Sequence, residues 1–456
     1  SIQAAVDVEQ ALVAGGGTYR TVWIADGTYV LAAPVTITED ITLRSANGPS
    51  LAVVDGNATT MCMSVSSPGA VVDGLTVRNG LGATDPSGLL LTDGLVTNCI
   101  VSACRSCRAV FMSGGTLTGC WVVNNTTGNG GGLFLAGGAA LNCIITNNYT
   151  YYGLRPGVRG GAGVYMSGGT LGDSTVAGNH MQYGEYGWGS GVYMVGGLVS
   201  NCMIRGNGAL SGGGNHQRGA GIYIGGGTLY QSTIVSNLVT APLSTGGGGV
   251  YLNGGMVDRC LIVCNEMRGG NTAGYGGGGV QLAGGVLRNS LVAANFANGV
   301  NSSSYGGGVK MEGGRMENCT IARNSASANA SDGGGVYWTV GGTTNCIIYY
   351  NSTRAGGAVT NTQPASAVYS CAPELTSGAG NVTADPQFRL PGSGAGLTAA
   401  LGDYRLRSVS PCIAVGTNLP WMANALDLAG RPRLFKVADI GAYAAPPPAG
   451  SLFVVH

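Results

Sequence analysis

The sequence predicts an all-β fold: a single-stranded, right-handed parallel β-helix (β-solenoid) with an N-terminal capping helix and an irregular C-terminal cap. Three observations carry that expectation. Glycine pairs recur, the first glycine of each at Gly114, Gly137, Gly168, Gly196, Gly226, Gly254, Gly284, Gly313 and Gly341, which sets about nine imperfect repeats of roughly 29 residues. Short alternating runs flank the pairs, such as Gly163 to Met166 and Gly191 to Met194, and their period is that of a strand. Side-chain types also recur at a constant offset, as equivalent positions must in parallel coils stacked about 4.8 Å apart. Strands joined at glycine corners, with no helical segment between them, close into coils.

Taken from the N-terminus, residues 1–18 are expected to form a cap. Ser1 to Leu12 has helix-like apolar spacing and runs into Gly15-Gly16-Gly17, which predicts a short helix over the open end of the solenoid. The β-helix is expected over 19–367 and opens irregularly, with strands at Val22 to Ile24, Thr28 to Leu31, Val35 to Leu43, Ala52 to Asp55 and Val71 to Val77. Ala25-Asp26-Gly27-Thr28-Tyr29 and Ile41 to Ala46 resemble the opening of secreted right-handed β-helix proteins of the pectate-lyase-like superfamily. That resemblance speaks to fold only.

Two ladders run through the repeats. One is small and carries a thiol or hydroxyl: Cys99, Cys120, Cys143, Ser174, Cys202, Ser232, Cys260, Ser290, Cys319 and Cys346. Ser replaces Cys freely there, which indicates a demand for small size. Five residues after each stands a second, opening at Cys104 and continuing as Asn125, Asn148, Asn179, Asn207, Asn237, Asn265, Asn295, Asn324 and Asn351. Stacked Asn side chains are expected to bond one another and the turn backbone, and Asn tolerates the left-handed conformation of corners, so this ladder is read as structural. An aromatic ladder (Phe111, Phe134, Tyr165, Tyr193, Tyr223, Tyr251, Tyr337) alternates with valines such as Val110, Val164, Val192, Val250 and Val309, and is interrupted by Gln281 and Lys310. Val is assigned to the core and the rings outward, where cross-strand stacking explains them and binding of sugar rings or another subunit is the functional alternative.

The repeat stops after Ala367, and 368–445 reads as a C-terminal cap region. Its ordered motifs are Asp385-Pro386-Gln387-Phe388, Asp403-Tyr404-Arg405-Leu406, Ser410-Pro411-Cys412-Ile413, Asp427-Leu428-Ala429-Gly430-Arg431-Pro432-Arg433 and Asp439-Ile440-Gly441-Ala442-Tyr443. This series resembles the end of the choice-of-anchor Q family of bacterial surface β-helix proteins, departing from it at Ala414 and Ala444, where that family more often has acids. The resemblance implies a surface or extracellular protein. Residues 446–456 form a Pro-rich spacer, Pro446 to Pro448, and an apolar tail whose Leu452, Phe453, Val454 and Val455 suit addition to an exposed sheet edge. The alternatives are a tail folded on its own flank or a linker to a removed anchor.

Composition narrows the function classes. Gly supplies 84 residues against 22 Lys and Arg and 21 Asp and Glu, and the net charge of +1 gives no electrostatic case for nucleic acid or an anionic membrane. No apolar stretch is long enough for a membrane span, and the opening at Ser1 without Met reads as a processed or trimmed chain. Thirteen cysteines leave at least one unpaired; most are expected to be buried thiols, and Cys371 and Cys412 form a possible disulfide. The C-x-x-C at Cys104 and Cys107 lacks a second ligand pair, so neither metal nor cofactor is expected.

Catalysis on polysaccharide would need neighbouring carboxylates, or carboxylates holding calcium beside a base. Asp173, Glu185, Asp258, Glu266, Glu312, Glu317 and Asp332 form no common ladder in the sequence, and His180, His216 and His456 join no catalytic pattern. No catalytic residue is assigned. The remaining candidate surface is the row of variable insertions, with Tyr151, Tyr152, Arg155, Tyr183, Tyr186 and Trp188 as binding candidates for carbohydrate or a protein partner. The expected function is a non-enzymatic, secreted or cell-surface solenoid with a structural or adhesive role, assembling end to end with itself through its C-terminal strand. A polysaccharide lyase or hydrolase, or a glycan-binding module, is the alternative.

Overall fold

The computed structural model describes residues 1–18, 20–82, 86–128, 130–151, 160–182, 186–209, 216–241, 244–269, 275–299, 304–327, 331–353 and 367–446. The chain is a right-handed parallel β-helix preceded by one α-helix, and it divides into two compact units, residues 1–245 with 249–251 and residues 246–248 with 252–456.

In the first unit the helix spans Ile2–Ala14, capped by Ser1, whose hydroxyl accepts from the Ala4 N–H, and buries Ile2 and Val6 against the first strands. Its glutamines finish the exposed strand edge: Gln3 Oε1 accepts from the Thr36 N–H at 2.7 Å and Gln10 Oε1 from the Thr38 N–H at 2.6 Å. An edge that would template association is thereby closed. The sequence expectation of one long strand from Val35 to Leu43 is corrected to two, Val35–Ile37 and Ile41–Ser45. The turn between them lets the chain change sheets.

A representative coil runs through Thr116–Thr118, a corner at Gly119, Trp121–Val123, a second corner at Asn124, Thr126–Thr127, an insertion, and Leu133–Leu135, before the Gly137-Gly138 turn starts the next coil. Period-two alternation points the middle residue of the first two strands inward. Val96, Leu117, Ala140, Leu171 and Val199 thus form one buried row, and Val101, Val122, Ile145, Val176 and Ile204 another, all in parallel register. The fourth strand, after the insertion, turns both ends inward, as Val164 and Met166 or Val192 and Met194 show. Each such Val, Leu, Ile or Met contributes about 1.5–3 kcal/mol by burial. The second unit repeats the pattern with Val257, Leu287 and Met316, and with Ile262, Val292 and Ile321.

Both corners are left-handed, with φ between 46° and 61° at every described corner from Asn98 to Tyr350. At the second corner the left-handed residue is the one before the ladder Asn: Asn124, Asn147, Gly178, Gly206 and Ser236, then Cys264, Ala294, Arg323 and Tyr350. The expectation that the ladder Asn itself turns the corner is therefore corrected. Its amide supplies the hydrogen bonds that hold a neighbour of almost any type in a conformation costing about 1–2 kcal/mol.

The repeat also outlasts its sequence signature in the second unit. Ala367–Val368 pairs with Thr343–Thr344, Cys371 bridges to Ile347 and to Val382, and Ser370 continues the thiol and hydroxyl ladder by accepting from the Cys346 N–H at 3.1 Å.

Candidate functional site

The insertions leave each coil after the Asn corner. Beyond them a further short strand forms, at Tyr186–Trp188 and His216–Arg218 in the first unit, and at Tyr275–Gly276, Ser304–Tyr305 and Ser331–Asp332 in the second. Sequence reading missed these strands because their residues share no type or alternation. They bring insertion side chains back over the aromatic ladder.

In the first unit that ladder is a stack. Phe134 and Tyr165 lie 4.5 Å apart between ring centroids, Tyr165 and Tyr193 5.0 Å, Tyr193 and Tyr223 4.9 Å, and Tyr223 and Tyr251 5.3 Å. Trp188 stacks on Tyr223 at 5.1 Å, Arg218 lies 4.8 Å over Tyr251, and Arg108 lies 3.7 Å over Phe134. The valines are inward and the rings outward, as expected, yet three rings are covered: Phe134, Tyr223 and Tyr251 are 9%, 6% and 4% exposed, while Phe111, Tyr165 and Tyr193 are half-buried. Burial raises the Tyr165 and Tyr223 phenols, with Arg108 and Arg218 pulling the other way. Of the binding candidates, Trp188 is thus placed as a lid on the stack. Tyr152, Arg155 and Tyr183 lie outside the described residues, as do the side chains of Tyr151 and Tyr186 and the whole tail Leu452 to Val455.

In the second unit the aromatic row gives way to a polar one. Glu312 joins Lys310 at 2.6 Å and Gln281 at 2.6 Å, and the tilted rings of Tyr305 and Tyr337 lie 4.4 Å apart. The strands Glu266–Gly269 and Phe296–Gly299 and the 3-10 turn Gly396–Thr398 form a hollow of about 330 Å³ lined by Glu266, Arg268, Phe296, Asn298, Leu397 and Thr398, in which Arg268 clasps Glu266 through two contacts of 2.5 and 2.8 Å.

Several acids are engaged in ion pairs. Asp258, Arg288 and Glu317 are partners in register on three successive coils, a relation the sequence reading did not find; Arg288 lies 2.9 Å from Asp258, and Glu317 meets Arg315 at 2.7 Å. Asp55 joins Arg78 at 2.7 Å and Asp73 joins Arg44 at 2.9 Å. Asp55 is raised by desolvation, but the Asn57 N–H, Arg78 and Asn79 outweigh this and hold it below the usual carboxylate range. Among the described residues, no group of three or more His, Cys, Asp or Glu side chains is placed to hold a metal ion, and no helix is long and apolar enough to cross a membrane.

The Asn ladder is fully buried and continuous within each unit. Each Nδ2 donates to the next Asn Oδ1, as from Asn125 to Asn148 at 2.9 Å and from Asn265 to Asn295 at 3.0 Å, and Nδ2 also reaches a strand carbonyl, as Val101 for Asn125. The thiol and hydroxyl ladder has the same double role. Cys143 donates to the Leu141 carbonyl, while its N–H donates to Ser174 Oγ at 2.9 Å, so Ser and Cys interchange because both donate and accept. Size alone is not the demand. Cys371 and Cys412, 41 positions apart, are both fully buried, and contact between their thiols, with burial, raises Cys371. Cys104 likewise meets Cys62, and Cys107 is half-buried.

No family model matches the chain, and no curated protein does. Among solved structures, the A-module of Azotobacter vinelandii mannuronan C-5 epimerase AlgE6 aligns over 85% of this chain and 95% of its own at 16% identity and a TM-score of 0.35. Pectate lyase Pel9A aligns over 93% of this chain and 88% of its own at 12% identity and a TM-score of 0.30.

Proposed function

We propose that the chain is a non-enzymatic, secreted or cell-surface β-solenoid with a structural or adhesive role, which assembles with copies of itself into filaments through its C-terminal strand. The observation that carries this reading is the employment of the groups that glycan chemistry would need. Acid–base work on a sugar requires carboxylates able to meet substrate and proton together, whereas Asp55, Asp73, Asp258, Glu266, Glu312 and Glu317 each hold a Lys or Arg. Of the stacked rings of the first unit, Phe134, Tyr223 and Tyr251 are likewise spent beneath Arg108, Trp188 and Arg218. Sparse charge and the ordered C-terminal motifs that resemble the choice-of-anchor Q family support an extracellular, bacterial setting. Electron microscopy of the whole chain and of a chain ending at Ala445 tests the assembly: filaments from the first and monomers from the second are expected, and monomers from both would overturn it.

A second reading, a polysaccharide lyase or hydrolase or a glycan-binding module, is favoured by the hollow beside Glu266, Arg268 and Phe296. A ring at the edge of a polar cleft is a common sugar platform. Incubation with acidic and neutral polysaccharides, with and without calcium, separates the readings, since product formation would displace the first.

A further inference from the structure

The corner between the first two strands of each coil is built alike in both units but differs in its cover. In the second unit Asn289, Asn318 and Asn345 are 1%, 0% and 0% exposed, lying beneath segments of the C-terminal region. Asn289 Nδ2 donates to the Leu426 carbonyl at 3.3 Å, Asn318 Nδ2 to that of Asp439 at 3.0 Å, and Asn345 Nδ2 to that of Thr417 at 2.8 Å. The Thr417 N–H donates back to Asn345 Oδ1 at 2.8 Å. Beside them the outward row of the second strand, Leu291, Thr320 and Ile347, is 6%, 0% and 1% exposed, and Thr320 Oγ1 accepts from the Ala442 N–H at 3.0 Å. The strip thus holds a crossing polypeptide by its backbone at the corner and by apolar contact alongside.

In the first unit the equivalent strip is more open. Its corner residues Asn98, Asn142, Asp173, Asn201 and Gln231 are exposed. Its outward row, in unbroken register, is Ile100, Trp121, Ile144, Thr175, Met203 and Thr233, with Trp121 49% and Met203 42% exposed. Six coils at about 4.8 Å make an apolar row about 24 Å long. A largely apolar row of half-buried side chains with Trp121 and Met203 standing exposed, rimmed by exposed polar corners, marks an interaction site.

We propose that this strip of the first unit is the docking site for the segment Leu452 to Val455 of a second copy of the chain. The proposal rests on the self-assembly reading and deepens it by naming the acceptor surface. The segment is uncharged and apolar, as the row is, and it follows a fixed point, because the Ala445 N–H is held by Asp439 Oδ2 at 2.7 Å. Three prolines then set a stiff spacer of about 9 Å. The ten residues 447–456, if extended, span at most about 33–36 Å, enough to run along several coils. Donor and acceptor are different surfaces, so the contact is heterologous and propagates from copy to copy.

The test is sedimentation of the whole chain beside Trp121→Glu/Met203→Glu, with Val409→Glu, another exposed site, as control; melting curves check that each variant folds. A labelled peptide spanning Pro446 to His456 is titrated onto a chain ending at Ala445, with and without the strip substitutions. The expected result is association of the whole chain and of the control, a loss of at least tenfold in association with the strip variant, and peptide binding that the same substitutions remove. Association undiminished in the strip variant, or peptide binding that ignores it, would overturn the strip and leave the self-assembly reading standing. A whole chain that stays monomeric at every concentration removes both.

Discussion

Asn207 shows what a single ladder residue does. Its Oδ1 accepts the N–H and the Nδ2 of Asn179, both at 3.0 Å, while its Nδ2 donates to the Val176 carbonyl and to Asn237 Oδ1, again at 3.0 Å. Replacement by Ala leaves the Asn179 N–H buried and unpaired, takes the side-chain donor from the Val176 carbonyl and breaks the amide chain to Asn179 and Asn237, at about 1–3 kcal/mol for each orphaned group. Asn207→Ala is expected to lower the unfolding free energy by about 2–4 kcal/mol in denaturant titration, and a loss below about 0.5 kcal/mol would show that the ladder is dispensable. The ladder was legible in the sequence because the amide recurs at one position from Asn125 to Asn351. Its left-handed neighbour was not, because once the amide fixes the corner, Ser236, Cys264, Ala294, Arg323 and Tyr350 all serve there.

At the scale of an element, the thiol ladder couples the coil stack to pH. Burial raises Cys143 from its ordinary 9.0 to about 11 and Cys202 to about 12, against the opposing pull of the backbone N–H groups they accept. A raised thiol keeps its proton in the folded chain where the unfolded chain has lost it, so its stabilisation is complete below pH 9 and disappears as pH climbs toward 11 or 12. Each of the two thiols is expected to cost about 1.4 kcal/mol per pH unit across that window. Cys143→Ser/Cys202→Ser should flatten the alkaline fall of the melting temperature and leave it unchanged at pH 7, since Ser already occupies Ser174, Ser232 and Ser290. An equal alkaline fall in the variant would refute the coupling. The short strands beyond the insertions are the counterpart that sequence could not show, because Tyr186–Trp188 and His216–Arg218 take their conformation from pairing with each other.

At the scale of the whole molecule, the decisive event is the return of the C-terminal region across coils of the second unit. Arg259 donates to the Asp427 carbonyl, a contact across 168 positions, and Arg323 donates to the carbonyls of Pro391 and Gly392. The region is held by a buried charge set. Asp427 accepts the N–H groups of Ala429, Arg431 and Ala444, and Asp439 those of Ala414 and Ala445, so the backbone of these small residues enters the network. Arg433, 1% exposed, donates to the Asp439 carbonyl, and desolvation lowers it to about 10 against the pull of Asp439 and Asp427. Arg433→Met fills the same space but takes the guanidinium donor from the buried Asp439 carbonyl and removes the charge that faces Asp439 and Asp427, and a loss of about 1–3 kcal/mol is expected. Calorimetry of the variant checks this, and an unchanged melting curve would exclude an electrostatic role for the guanidinium.

The sequence by itself determined the coil, its period, its inward rows and the two ladders, because each depends on local alternation and on a demand repeated at every turn of a parallel stack. Only the tertiary structure decided which outward faces are covered. That choice rests on contacts such as Trp188 on Tyr223 or Asn318 on Asp439, made once each between distant positions, and a contact made once leaves no period to read.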